Sequence, residues 1–299
     1  MTDWIELGLK ENGFYGYFKE GTKHHEKAMI CMSGADGSKE FALLSGQEIW
    51  NMGYSVLVLG FIKWEGLPKE TCLIPVEYVE NAVKWLLSKE GSKIKKIGIQ
   101  GASTGAQYAF LCASLCPEIS CVITASPFDY VMEFVDGKFR RTGKSTYMYQ
   151  GEEIAFSPAV LLDKSIPGLL WKCATDKHYG LNRMLRFYYD NNPLTEEGRI
   201  RVENMKADVL LLASENDDCW PSEVSARRVD AILRNVEYSY RVKSVIYEKG
   251  SHAIGGMLND EKMRKRMKKI LPAEKKYPAE CEEARVDSMK QIEAFLAEW

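Results

Sequence analysis

The stretch "KIGIQGASTGAQYAF" (Lys96–Phe110) decides the fold. An apolar run ends at Gln100, a helix-forming run starts near Thr104, and Gly101-Ala102-Ser103-Thr104-Gly105 is the turn between them. A serine with a glycine two residues away on each side is poor packing material. It is well suited to a strained turn on which the serine stands clear of the backbone, because bulky neighbours two positions away would clash there. The same turn sets the hydroxyl near a helix N-terminus, whose dipole favours developing negative charge.

Similar runs recur on both sides. Ala28–Gly34, Tyr54–Phe61, Lys93–Gly101, Ser120–Pro127, Ala207–Ser214 and Ser244–Gly250 are short and apolar, as strands covered on both faces are. Helical patterns fill the gaps at Glu40–Met52, Val76–Ser88, Thr104–Leu115 and Pro221–Leu233, and a last one spans Glu282–Trp299. In the second of these, Val76, Val79, Val83, Leu86 and Leu87 share one face. Such alternation predicts βαβ units and a right-handed, mostly parallel α/β sheet flanked by helices. Gly13–Gly21 alternates aromatics and is expected to add an antiparallel edge strand. We expect one domain over residues 1–299. Within it, residues 128–206 are too many for a normal crossover, and we expect an inserted cap over one end of the sheet rather than a helix with surface decoration.

A strand, Gly-x-Ser-x-Gly and a helix together form the nucleophile elbow of the α/β-hydrolase fold, with Ser103 as nucleophile. In that fold the acid and then the histidine follow the serine along the chain. Of four histidines, only His252, in "EKGSHAIGG", follows the candidate acids. His24 and His25 precede the first core run and are expected in a solvated turn, and His178 falls in the expected cap. The loop "LLLASENDDCWPSE" supplies Asp217, favoured by its spacing between Ser214 and Pro221. Asp218 is the alternative acid, or else a helix cap or loop brace; Asp129, one strand earlier, is a third candidate. The acid fixes the imidazole tautomer while His252 shuttles the proton of Ser103. An oxyanion hole needs two N–H groups, expected from Thr104 and from Ala35 in "MSGADGS"; Gly37 serves either room or the turn.

The balance of 40 basic against 42 acidic residues, net −2, argues against nucleic acid as a partner. Lys262–Lys269, the most basic run, is expected to be a solvated helix face. No apolar run is long enough to span a membrane, and the N-terminus has no basic region leading into an apolar core, so a cytoplasmic protein is expected. Eight scattered cysteines contain no CxxC pair and are expected reduced. Neither a metal cluster nor a nucleotide loop is readable, so no metal and no cofactor is expected.

The motifs with their surrounding text resemble the C-terminal domain of the acyl-CoA thioesterase / bile acid-CoA:amino acid N-acyltransferase family, which is dienelactone-hydrolase-like. The resemblance rests on Gly53–Phe61 with Leu67-Pro68, on "PVEYVENAVKWLLS", on the elbow, and on Asp217, Asp218, Trp220 and Ser222 in "ENDDCWPSE". It implies a Ser103–Asp217–His252 triad acting on an acyl thioester. Animal members carry an N-terminal β-sandwich domain, for which this sequence is expected to have no room. The N-acyltransferase branch carries a cysteine on its elbow; Ser103 here favours hydrolysis over transfer, and Cys219 lies beside the acid instead.

Two classes of function compete. One is a serine hydrolase of small acyl esters or thioesters, acyl-CoA among them, with carboxylesterase and acyltransferase as its variants. The other is an inactive hydrolase fold used for binding, which predicts a broken triad; all the triad candidates are present in order. A homo-oligomer remains open.

Overall fold

The computed structural model describes residues 4–88, 93–161, 180–256 and 261–299, with Gly168, Trp171 and Thr175. Eight strands form the central sheet: β1 (Ile5–Leu7), β2 (Tyr15–Lys19), β3 (His24–Met32), β4 (Tyr54–Gly60), β6 (Lys96–Ala102), β7 (Ile119–Ala125), β12 (Asp208–Ser214) and β13 (Val242–Tyr247). Their order is β1-β2-β4-β3-β6-β7-β12-β13. The pairs β1/β2 and β2/β4 are antiparallel, and every pair from β4 to β13 is parallel. Every continuous apolar run read from the sequence is a strand of this sheet.

Two expectations need correction. The aromatic strand β2 is antiparallel as expected, but it is not the edge, because Ile5–Leu7 pairs outside it. His24 and His25 do not form a turn. They begin β3, with the His24 ring stacked on Tyr54 at 4.3 Å between centroids.

Alternating residues of each strand feed two apolar layers, as the two-residue period of a pleated strand requires. Ile30, Met32, Leu57 and Leu59 face one layer, with Val79, Val83 and Leu86 of helix α3 (Glu77–Ser88) and Tyr108 and Phe110 of α4 (Thr104–Leu115). Ala226, Val229 and Leu233 of α6 (Ser222–Asn235) join the same layer. Met29, Cys31, Val56 and Val58 face the other, with Ala42 and Ile49 of α2 (Lys39–Asn51). Ile292, Phe295 and Leu296 of α9 (Pro278–Glu298) complete that layer. The sheet is thus covered on both faces, which is why its central strands are apolar throughout rather than alternating.

The 128–206 interval between β7 and β12 carries its own small elements. A hairpin pairs β8 (Glu133–Val135) with β9 (Arg141–Ser145). A second small sheet joins β10 (Tyr147–Tyr149) to β11 (Glu152–Glu153) and to β5 (Ile74–Pro75), which precedes α3. Helix α5 (Gly180–Asn191) follows. His178 lies outside the described residues. The basic run falls in α7 (Glu261–Ile270), where Met263 and Met267 are buried and Arg264, Lys265, Lys268 and Lys269 are exposed. Among the described residues every cysteine is free, and no helix is long and apolar enough to cross a membrane.

Candidate active site

The turn after β6 has the geometry that its glycines foreshadow. Ser103 sits at φ 56° and ψ −125°, a conformation L residues avoid, at the N-cap of α4. The glycines make room. A Cβ on Gly101 would stand 2.1 Å from the Gly105 carbonyl oxygen, and one on Gly105 would stand 2.1 Å from that of Ser33. The Ser103 amide donates to the Ala125 carbonyl (2.9 Å), and the Ser103 carbonyl accepts from the Ala106 amide (2.8 Å), so the strained turn is fixed from both sides.

The loop after β3 lies against the same serine. A Cβ on Gly34 would be 3.1 Å from Ser103 Cβ and 3.6 Å from its Oγ. The Gly37 amide closes a tight turn onto the Gly34 carbonyl (3.0 Å), with Gly37 at φ +61°, which assigns that glycine to the turn. Lys63 Nζ donates to the Ala35 carbonyl (2.7 Å) and holds the loop from outside.

The structure separates the three candidate acids. Asp217, in the loop between β12 and α6, is buried at 2% exposure, and both its carboxylate oxygens lie 2.8 Å from His252 Nδ1. Its Oδ1 also accepts from the Cys219 amide (2.9 Å) and the Trp220 amide (3.3 Å). Burial pushes its carboxyl up, but the charge of His252 and the hydrogen bonds from His252, Ser222 and the Cys219 amide outweigh this and hold it below the usual carboxylate range. Asp218 turns away and accepts from the Ala273 amide (2.8 Å) in the short helix α8 (Pro272–Lys276). Asp129 is engaged by Arg228 and by the Ser225 hydroxyl (2.9 Å).

The His252 loop is pinned at several points that sequence reading did not supply. Ser126, at φ +50° just after β7, donates its hydroxyl to the His252 carbonyl (2.9 Å). Ser214 Oγ donates to the Gly250 carbonyl (2.5 Å), and Ser251 Oγ to Glu274 (2.5 Å), itself in a buried ion pair with Arg285. Trp220, singled out by motif alone, has a clear task. Its indole N–H donates to the Ser126 carbonyl (2.9 Å), and its ring stands edge-on to the imidazole at 5.8 Å and stacks on Phe128 at 5.3 Å. No local signal marks Ser126 or Glu274; their partners are far away in sequence.

Cys219 is half-buried beside this pair, and ligand atoms of Asp217, Cys219 and His252 lie within 4.8 Å of one another. Burial and the neighbouring Asp217 and Asp218 carboxylates push the Cys219 thiol far up, which does not suit a nucleophile.

A cavity of about 210 Å³ opens beside the elbow. Thr104, Gln107 and Trp220 border it from the sheet side, and Met132, Phe139, Met184 and Tyr188 from the 128–206 interval.

Comparison with known proteins gives the chain a family. The family model for the BAAT / acyl-CoA thioester hydrolase C terminal matches residues 74–256, more than half of the chain. An acyl-coenzyme A thioesterase 3 of Mus musculus is 27% identical over 196 residues, 64% of this chain and 39% of the relative. A peroxisomal succinyl-coenzyme A thioesterase of Mus musculus is 26% identical over 174 residues, 58% and 36% of the two chains. The chain thus spans well under half the length of these curated relatives. An esterase of Pyrococcus furiosus shares the fold at a TM-score of 0.53 and 16% identity, covering 98% of this chain and 96% of that one.

Proposed function

Since the chain belongs to the BAAT / acyl-CoA thioester hydrolase C-terminal family, we propose that it is a serine hydrolase cleaving acyl thioesters or esters through an acyl-enzyme on Ser103. The observation that carries this reading is a serine strained at φ 56° on a strand-to-helix turn, in a fold whose His252–Asp217 pair at 2.8 Å comes from the last two strand-end loops.

The residues take these roles. Ser103 Oγ attacks the acyl carbon, and its proton passes to Nε2 of His252. Nδ1–H of His252 donates to Asp217, which fixes the tautomer and stabilises the imidazolium. The amides of Thr104 and Ala35 face the oxyanion, the first at the start of α4 and the second in the loop that lies against Ser103. The tetrahedral intermediate collapses, the C–S or C–O bond breaks, and His252 returns the proton to the leaving group. Water, deprotonated by the same imidazole, then cleaves the acyl-enzyme. The 128–206 interval acts as a cap, and its cavity with Met132, Phe139, Met184 and Tyr188 holds the acyl group. Cytoplasmic residence belongs to this reading, and cell fractionation tests it against the organelle that one relative's name carries.

The test is a matched pair of assays, butyryl-CoA against p-nitrophenyl butyrate, with Ser103→Ala as the blank. A higher kcat/KM on the thioester supports a thioesterase; turnover of the ester alone makes the protein a carboxylesterase. Acyl hydroxamate formed when hydroxylamine is added, at the expense of free acid, measures the capacity for transfer. Turnover that survives Ser103→Ala refutes the mechanism.

A further inference from the structure

Helix α5 of the inserted interval does more than wall the cavity. Met184 and Tyr188, four residues apart, line the cavity. Arg186, between them, reaches the acid loop. Its Nη1 donates to the Asp217 carbonyl (2.8 Å) and touches the Trp220 carbonyl at 3.5 Å. Its Nη2 donates to Glu223 (2.7 Å), and its Nε to Asp190 one turn along (2.9 Å). Two nitrogens of one guanidinium thus tie α5 to the backbone of the acid loop and to the first turn of α6, while the third is held by Asp190 on α5 itself, a geometry that a lysine ammonium could only partly reproduce.

We propose that Arg186 is a positioning residue for Asp217, through which the inserted helix holds the acid loop in register with His252. This rests on the triad reading above. The carboxylate faces the imidazole, while the main-chain carbonyl of the same residue is held from the other side by Arg186, so the arginine sets where the loop stops. Glu223 is buried at 7% exposure, and one of its oxygens has no hydrogen-bond partner in this structure, so Arg186 also neutralises a carboxylate that burial pushes toward protonation. The two tasks are separable, because only the first bears on Ser103.

The experiment compares Glu223→Gln with the double variant Arg186→Met/Glu223→Gln, and adds Arg186→Lys. The glutamine removes the stranded charge, so the double variant folds without an unpaired buried carboxylate. The readouts are kcat and KM on p-nitrophenyl butyrate and the rate of fluorophosphonate labelling of Ser103, which needs an aligned imidazole but no acyl pocket. We expect the double variant to lose about tenfold in both kcat and labelling rate relative to Glu223→Gln, with KM within about twofold, and Arg186→Lys to fall between. Equal kcat and labelling in the double variant and Glu223→Gln would overturn the proposal, leaving Arg186 as a charge partner only. A raised KM with unchanged kcat and labelling would also overturn it, placing Arg186 in the cavity wall. A wild-type protein that is neither labelled nor active in a Ser103-dependent way would instead refute the proposed function.

Discussion

Replacing Asp217 by asparagine keeps the shape of the side chain and removes its charge. Asp217 is buried at 2% exposure, so no water stands in for the lost carboxylate. Both its oxygens lie 2.8 Å from His252 Nδ1, and Oδ1 accepts two loop amides. An amide can keep its oxygen on those two N–H groups only by turning its NH2 toward Nδ1. The imidazole then carries its proton on Nε2 and cannot accept the one from Ser103. In serine-protease triads this loss of tautomer control is worth about 10⁴ in kcat, or about 5.4 kcal/mol at 1.36 kcal/mol per decade. The assay is kcat/KM on whichever of the two butyryl substrates the wild type hydrolyses, beside two controls. Asp218→Ala removes the bond to the Ala273 amide and should cost about 1 kcal/mol of stability with little change in kcat. Asp129→Asn strips Arg228 of its partner and should cost about 2 kcal/mol, less than a fully buried pair because Arg228 is 29% exposed. Stability separates the variants by pH as well. The depressed Asp217 pKa contributes stability above the unfolded-state value that is lost as pH falls through the folded-state one. Asp217→Asn should therefore narrow its deficit against wild type in acid. Retention of kcat within tenfold in Asp217→Asn, or a larger loss in Asp218→Ala, would refute the assignment of the acid.

Further outcomes follow from the same geometry. Gly105→Ala places a Cβ 2.1 Å from the Ser33 carbonyl oxygen and should cost more than the roughly 1–3 kcal/mol of ordinary overpacking; a Tm within about 2 °C of wild type would contradict the tight elbow. Cys219→Ala should leave kcat within about threefold, since the thiol is held protonated, and a collapse of activity would reinstate the cysteine as a participant. Lys138 stands exposed on the β8–β9 turn beside the cavity-lining Phe139. Lys138→Glu should raise KM for butyryl-CoA up to about fivefold at low salt and leave p-nitrophenyl butyrate unchanged; an equal effect on both would remove this turn from any contact with the CoA phosphates.

The parallel sheet was legible because each central strand is apolar on both faces, a pattern few other arrangements produce. The elbow was legible because its glycines answer to backbone contacts only a few residues away in sequence or one strand across. Elements shorter than that signal were not. Ile5–Leu7 is three residues long with two of them exposed, so it carries no periodicity, and β2 looked like the edge. The strands of the 128–206 interval are two to five residues long, too short to carry a period, and one of them pairs with a distant segment, Tyr147 with Ile74. Local pattern also left Asp217, Asp218 and Asp129 as rivals. Their roles depend on which partner the fold delivers: an imidazole, a helix-end amide or a guanidinium. The same holds for Ser126, Glu274 and Arg186, ordinary polar residues whose contacts with the site, to His252, Ser251 and Asp217, each cross a long stretch of chain.

The most direct test of the central claim is to label the protein with a fluorophosphonate and map the adduct by peptide mass spectrometry. Attack by Ser103 would form an O–P bond, expel fluoride and pass the hydroxyl proton to His252. The account predicts a single stoichiometric adduct on the peptide containing Gly101–Gly105, absent from Ser103→Ala and slowed by orders of magnitude in Asp217→Asn. An adduct on any other residue, or none on a protein that still hydrolyses butyryl esters, would contradict it.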